Sequence, residues 1–137
     1  PVVVIFYLGY SCLHCAEQLH KFGPKYDEFK KAGIEVLAIS SDPFEDLKNS
    51  VEAYKEDTKQ TMPFPLLANG ELDIFKKYRC YDDFEDMTLH GTFLIDAQGY
   101  VCWQDISYDP FMDPDFVLTE SKRLLQQRGA QLNVVAK

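Results

Sequence analysis

Two cysteines, Cys12 and Cys15, carry the side chains of this sequence best suited to chemistry. They lie in Tyr10-Ser11-Cys12-Leu13-His14-Cys15-Ala16-Glu17, just after the apolar run Val2-Val3-Val4-Ile5-Phe6-Tyr7-Leu8. That run is short, β-branched and aromatic, the profile of a strand buried on both faces. Past Cys15 the residues Leu19, Phe22, Tyr26 and Phe29 recur at intervals of three and four, so a helix follows with one inward stripe, which Cys15 extends. Ser11 is the expected cap. Thiols at a helix start meet unpaired backbone N–H groups and the positive end of the helix dipole, which favour the thiolate. One turn apart, they can also close a disulfide, so the pair reads as a redox motif. A structural zinc site would need two more ligands; Cys80 and Cys102 are isolated and no suitably spaced histidine follows, so no metal is expected.

Two orders of reaction are open within the pair. Cys12 stands at the exposed end of the helix and is the better nucleophile for a large disulfide, with Cys15 resolving. A peroxide is smaller and could reach Cys15. His14, between the sulfurs, either lowers a thiol pKa or faces solvent. His90, on a loop before a core strand, could donate to a thiolate. Cys80 sits in a polar loop and becomes a second resolving thiol if that loop approaches Cys15. Cys102, beside Trp103, is expected to pack.

The elements that must hold these groups alternate along the chain. Gly23-Pro24 should kink the first helix, which ends at Gly33. Ile34 to Ile39 reads as a second interior strand, and Asp42-Pro43 as the start of a helix to about Asp57 with Leu47, Val51 and Tyr54 on one face. Leu66-Leu67 is a short apolar segment before a helix over about 70–78. The acidic stretch 80–87 reads as a solvated loop. Thr92 to Asp96, the turn Ala97-Gln98-Gly99 and Tyr100 to Ile106 form an antiparallel hairpin, and a last helix runs from Asp113-Pro114 to about Arg128. The expected fold class is α/β: a central mixed sheet with helices on both faces, the thioredoxin fold, with an inserted short strand and helix.

A chain of 137 residues fits one domain, expected over 1–129 with a tail over 130–137. Its net charge of −8 and scattered basic residues speak against nucleic acid or an anionic membrane as partner. No segment is long and apolar enough to span a bilayer. Entry at Pro1 straight into a core strand fits a piece of a longer protein, so the compartment stays unassigned; four cysteines suit a cytosolic or an exported redox protein alike.

Several motifs together resemble the peroxiredoxin-like branch of the thioredoxin superfamily, the alkyl hydroperoxide reductase/thiol-specific antioxidant family. They are Phe6-Tyr7 followed by Cys15, Phe22 and Phe29; Val36-Leu37-Ala38-Ile39-Ser40-Ser41-Asp42; Phe64-Pro65-Leu66-Leu67-Ala68; and Thr92-Phe93-Leu94-Ile95-Asp96-Ala97-Gln98-Gly99. The resemblance runs from residue 1 to about 128 and lacks the family's amino-terminal hairpin. It implies that Cys15 occupies the peroxidatic position and Cys12 the place of a helper threonine. Against thioredoxin-like oxidoreductases, Cys12 is instead the attacking cysteine and Cys15 the resolving one. His90 stands where peroxiredoxins place an arginine and thioredoxins a cis-proline. Three functions follow as expectations: a thiol–disulfide oxidoreductase using Cys12 then Cys15, a thiol peroxidase using Cys15, and a non-catalytic redoxin module. The first two take a protein disulfide or a hydroperoxide as substrate, an external thiol as reductant, and no cofactor.

Overall fold

The computed structural model describes residues 1–135. In chain order the strands are β1 (Val2–Tyr7), β2 (Glu35–Ser40), β3 (Leu66–Ala68), β4 (Tyr81–Asp82), β5 (Met87–Thr88), β6 (His90–Ile95) and β7 (Val101–Ser107). The α-helices are α1 (Leu13–Phe22), α2 (Tyr26–Lys31), α3 (Leu47–Thr58), α4 (Asp73–Lys77) and α5 (Pro114–Val135). Five strands form one sheet in the order β3-β2-β1-β6-β7, and β4 pairs with β5 apart from it. β1 runs parallel to β2, from Val2 opposite Glu35 to Tyr7 opposite Ser40, and β2 runs parallel to β3. On its other side β1 is antiparallel to β6, which continues antiparallel into β7. The parallel half and the antiparallel hairpin are those expected from the apolar runs.

Alternation along β1 divides the core. Val3, Ile5 and Tyr7 face one layer with Cys15, Leu19, Phe22, Phe29, Tyr54, Val117 and Leu118; Val4 and Phe6 face the other with Phe75, Cys80 and Phe93. Each fully buried apolar side chain of this size contributes about 1.5–3 kcal/mol, so both layers hold the central strands. Helices α1, α2, α3 and α5 cover the first face, and α4 the second.

Several local expectations are corrected. The break at Gly23-Pro24 is a 3-10 turn over Gly23–Lys25 that separates α1 from α2, rather than a kink within one helix. Tyr54 packs so closely on Gly23 that a side chain there would collide with its hydroxyl. In α3 the inward residues are Ser50 and Tyr54, while Val51 is 38% exposed. The helix is preceded by a 3-10 turn over Phe44–Asp46 and has no Asp42 cap, because the Asp42 carboxylate accepts from the backbone N–H of Tyr10 at 3.0 Å instead. The acidic loop is a small hairpin tied by its own carboxylates: Asp82 accepts from the N–H groups of Phe84 and Glu85 and from Tyr108, and Asp86 from Tyr81. Helix α5 does not stop at Gly129 but runs through the expected tail to Val135. One glycine costs a helix only about 1 kcal/mol, and Ala130, Gln131 and Leu132 are good helix formers. None of the described helices is long and apolar enough to cross a membrane.

Candidate active site

The site lies beyond the carboxyl ends of the parallel strands, where open α/β sheets place their ligands. β1 leaves the sheet at Leu8, and its exit is fastened to the end of β2. The N–H of Ser41 donates to Tyr7 O at 3.1 Å and its hydroxyl to Leu8 O at 2.6 Å. Gly9 then turns the chain with φ +136°, a conformation that L side chains rarely adopt, and a Cβ there would strike the Asp42 carboxylate. That same carboxylate holds the N–H of Tyr10, so the chain is aimed into α1 three residues later.

Cys12, not Ser11, caps α1. Its backbone is extended (φ −88°, ψ 109°), its carbonyl accepts from the N–H of Ala16, and its Sγ accepts from the N–H of Cys15 at 3.3 Å. Sulfur thereby takes the capping place that the sequence pattern assigned to a hydroxyl, which puts this sulfur directly on the helix axis end. The N–H groups of Leu13 and His14 keep no acceptor within the helix. Cys12 and Cys15 are joined by a disulfide, with Cα atoms 5.2 Å apart. Cys15 is fully buried and Cys12 half-buried.

The two histidines part company here. His14 is exposed and turned to solvent, with Nδ1 3.4 Å from the Glu17 carboxylate. His90 is 4% exposed and stands inside the sheet as the first residue of β6, opposite Ser107, rather than on a loop. Both of its ring nitrogens lie 4.0 Å from Cys15 Sγ. Equal distances mean that the sulfur is equidistant from the two nitrogens, on the line of neither N–H. Burial lowers the His90 pKa, only partly offset by the Asp109 carboxylate, which favours the neutral imidazole beside the disulfide. No peptide bond among the described residues is cis, so His90 does not reproduce the cis-proline of thioredoxins in backbone form either.

The remaining cysteines stand apart. Cys80 belongs to the core layer on the opposite face of the sheet from Cys15, packed with Phe6, Phe75 and Phe93. Burial pushes its pKa up to about 12, and its thiol approaches the carbonyl of Tyr78 at 3.9 Å. The condition for a resolving role, an approach of its loop to Cys15, is not met in this arrangement. Cys102 packs at the edge of the layer that contains Cys15, its thiol near Tyr100 O and its pKa raised by burial.

One polar residue beside the site was not singled out from the sequence. Gln18, a turn beyond Cys15, is 1% exposed, and its Nε2 donates to Phe111 O at 3.1 Å. Its Oε1 has no hydrogen-bond partner among the described residues. The bond ties α1 to the segment before α5, where Phe111 packs on Trp103 and Phe116. A glutamine on the inward stripe between Cys15 and Leu19 was the available signal.

Comparison with known proteins supplies the context of this geometry. The AhpC/TSA family model matches residues 1–104. The chain is 32% identical over 127 residues to the chloroplastic peroxiredoxin Q of Sedum lineare, an alignment covering 92% of this chain and 63% of that protein. It is 33% identical over 102 residues to a selenocysteine-containing peroxiredoxin of Peptoclostridium acidaminophilum, covering 73% of this chain and 50% of the relative. The chain thus spans only about half to two thirds of the length of the relatives it matches. Among solved structures, AhpC of Enterococcus faecalis superposes with a TM-score of 0.80 at 17% identity, covering 95% of this chain and 76% of that one. Peroxiredoxin Q of Xanthomonas campestris gives 0.73 at 22% identity, covering 89% and 77%. At these identities the likeness is one of fold, and the fold is that of thioredoxin.

Proposed function

Because the chain belongs to the AhpC/TSA family, we propose that it is a thiol-dependent peroxidase in which Cys15 attacks the hydroperoxide and Cys12 resolves the product. The observation that carries this reading is the setting of Cys15: a fully buried sulfur at a helix start, beside the buried His90 imidazole and bonded to a second cysteine. A buried thiol of this kind selects for a small oxidant. The Cys15 thiolate attacks one peroxide oxygen, the O–O bond breaks, and the alcohol leaves after taking up a proton, with Cys15 left as a sulfenic acid. The Cys12 thiol then displaces the hydroxyl as water and forms the Cys12–Cys15 disulfide. Two electrons and two protons from an external thiol reductant restore both thiols.

In this reading the position of Cys15 in the first turn of α1, at the positive end of the helix dipole, favours its thiolate. An N–H of His90 serves where the family carries an arginine, after a small turn of the ring toward sulfur. His14 is a solvent-facing neighbour, and Cys80 is not needed for resolution.

The half-exposure of Cys12 favours a second reading, in which Cys12 attacks a protein disulfide and Cys15 resolves the mixed disulfide. The two are separated by rates. Stopped-flow oxidation of the reduced protein by hydroperoxide should run well above the rate of a free thiol, and Cys15→Ser should remove that reaction. Peroxide oxidation no faster than free cysteine, together with ready reduction of insulin disulfides that Cys12→Ser abolishes, would establish the second reading in place of the first.

A further inference from the structure

The groups that meet at the start of α1 are also a ligand set. Sγ of Cys12, Sγ of Cys15 and a ring nitrogen of His90 all lie within 4.8 Å of one another. Around a tetrahedral zinc ion, with Zn–S about 2.3 Å and Zn–N about 2.0–2.1 Å, ligand atoms sit roughly 3.5–3.8 Å apart. The Cys15 Sγ to His90 distance, 4.0 Å to either nitrogen, is a few tenths of an ångström from that spacing. We propose that the reduced site binds one thiophilic closed-shell cation of the zinc class through Cys12, Cys15 and His90, with the fourth position open.

The sequence pattern counted cysteines and found no four-ligand centre; the fold brings in a histidine from β6, 75 residues away. The chemistry of the donors is selective. Two thiolates and an imidazole suit a soft cation, and no carboxylate belongs to the cluster to favour magnesium or calcium. His90 meets the ion as a neutral ligand, held by a strand that is paired on both sides. Its two nitrogens are equally placed toward the sulfur, so a modest turn of the ring presents either one to an ion between them. The thiolates are supported by the helix start, where the N–H of Cys15 already donates to Cys12 Sγ. Access is through half-buried Cys12 and the exposed Leu13 beside it. Cys80, on the other face of the sheet, cannot complete the shell. An open fourth position therefore goes to water or to a small ligand.

Disulfide and metal exclude each other at this site. Binding requires prior reduction of the Cys12–Cys15 bond by two electrons and two protons from a dithiol, and uptake of the cation then releases the two thiol protons to solvent. The bound ion would shield both sulfurs from oxidants, and closure of the disulfide would expel it. The inference stands on the ligand geometry and does not depend on which cysteine reacts first with substrate.

The test is an anaerobic titration of the reduced protein with Cd2+, read by thiolate-to-metal charge transfer. Competition with Zn2+ in the presence of a chromophoric chelator and native mass spectrometry for stoichiometry complete it. One ion per chain is expected for the reduced protein and none for the oxidised one. Cys12→Ser and Cys15→Ser should each weaken the charge-transfer band and the affinity. His90→Ala should keep the band and lower the affinity by at least about tenfold, since even outer-shell changes cost that much. His90→Gln, closer in volume and checked by thermal melting, guards against a folding defect. Binding no stronger than in a Cys12→Ser/Cys15→Ser protein, one ion shared by two chains, or an affinity unchanged in folded His90 variants would overturn the proposal. Peroxide turnover, measured separately on metal-free protein, can fail without affecting this result.

Discussion

Gly91 is the point at which the two faces of the sheet constrain the site, and replacing it by alanine is a demanding test of the fold. Gly91 follows His90 on β6 and pairs with Phe6 of β1 and Ile106 of β7. An alanine Cβ would overlap the Sγ of Cys80, stand 2.8 Å from the Phe93 ring and 3.6 Å from the Phe6 ring. Cys80 and Phe6 are fully buried and Phe93 is 2% exposed, so no neighbour can swing into solvent to make room. Overpacking of this kind costs about 1–3 kcal/mol. At roughly 3 °C per kcal/mol for a domain of this size, Tm should fall by about 3–9 °C. The sulfur is the closest obstacle, so Cys80→Ala should vacate the space the methyl needs. Urea denaturation at unchanged m gives the four stabilities of the cycle. The double variant should be more stable than the sum of the single effects by at least about 1 kcal/mol. A Gly91→Ala protein within about 0.5 kcal/mol of the parent, or a strictly additive double variant, would refute this placement of Cys80 beneath β6.

Two further outcomes follow from the titrating groups. Burial lowers the His90 pKa below its ordinary 6.5, so the unfolded chain takes up this proton first. Stability from this group is complete above about pH 6.5 and is lost as pH falls toward the lowered folded-state value, with a slope of at most about 1.4 kcal/mol per pH unit. The parent minus His90→Asn difference in urea-derived stability should therefore decrease between pH 7 and 5; a pH-independent difference would contradict a buried neutral His90. Cys80, with its pKa pushed up to about 12 and no exposed surface, should resist mass-tagged alkylation in the native reduced protein while Cys12 reacts readily, all four cysteines labelling once urea is added. Native labelling of Cys80 at a rate comparable with Cys12 would place it outside the core.

What was legible in the sequence is what local pattern controls. The apolar runs 2–8 and 34–39 announced interior parallel strands, and the spacing of Cys15, Leu19, Phe22 and Phe29 announced the inward face of α1 and α2. The turn at Ala97-Gln98-Gly99 was equally readable: Asp96 accepts from the N–H groups of Gln98 and Tyr100, and Gly99 adopts φ +88°. The misplaced details depend on partners distant in sequence. Ser11 yields the cap to Cys12 because Asp42, 32 residues from Tyr10, draws the chain inward. His90 reads as a loop residue until β7 pairs with it through Ser107 and β1 takes up the strand from Gly91 onward. Cys80 stands next to an acidic stretch in the sequence, but in the fold it packs beneath β6 with Phe6, Phe75 and Phe93. For the same reason, the meeting of His90 with Cys12 and Cys15 could be seen only in three dimensions.

The central claim is the order in which the two sulfurs act, and the direct measurement is to trap the first oxidised one. Reduced protein, parent and Cys12→Ser, is mixed with one equivalent of hydroperoxide, quenched within milliseconds to seconds with a sulfenic-acid probe and a thiol-alkylating tag, and mapped by peptide mass spectrometry. The account predicts a sulfenic acid on Cys15 that is transient in the parent, where a Cys12–Cys15 disulfide replaces it, and persistent in Cys12→Ser. Oxidation appearing first on Cys12, with Cys15 still a free thiol, would contradict it.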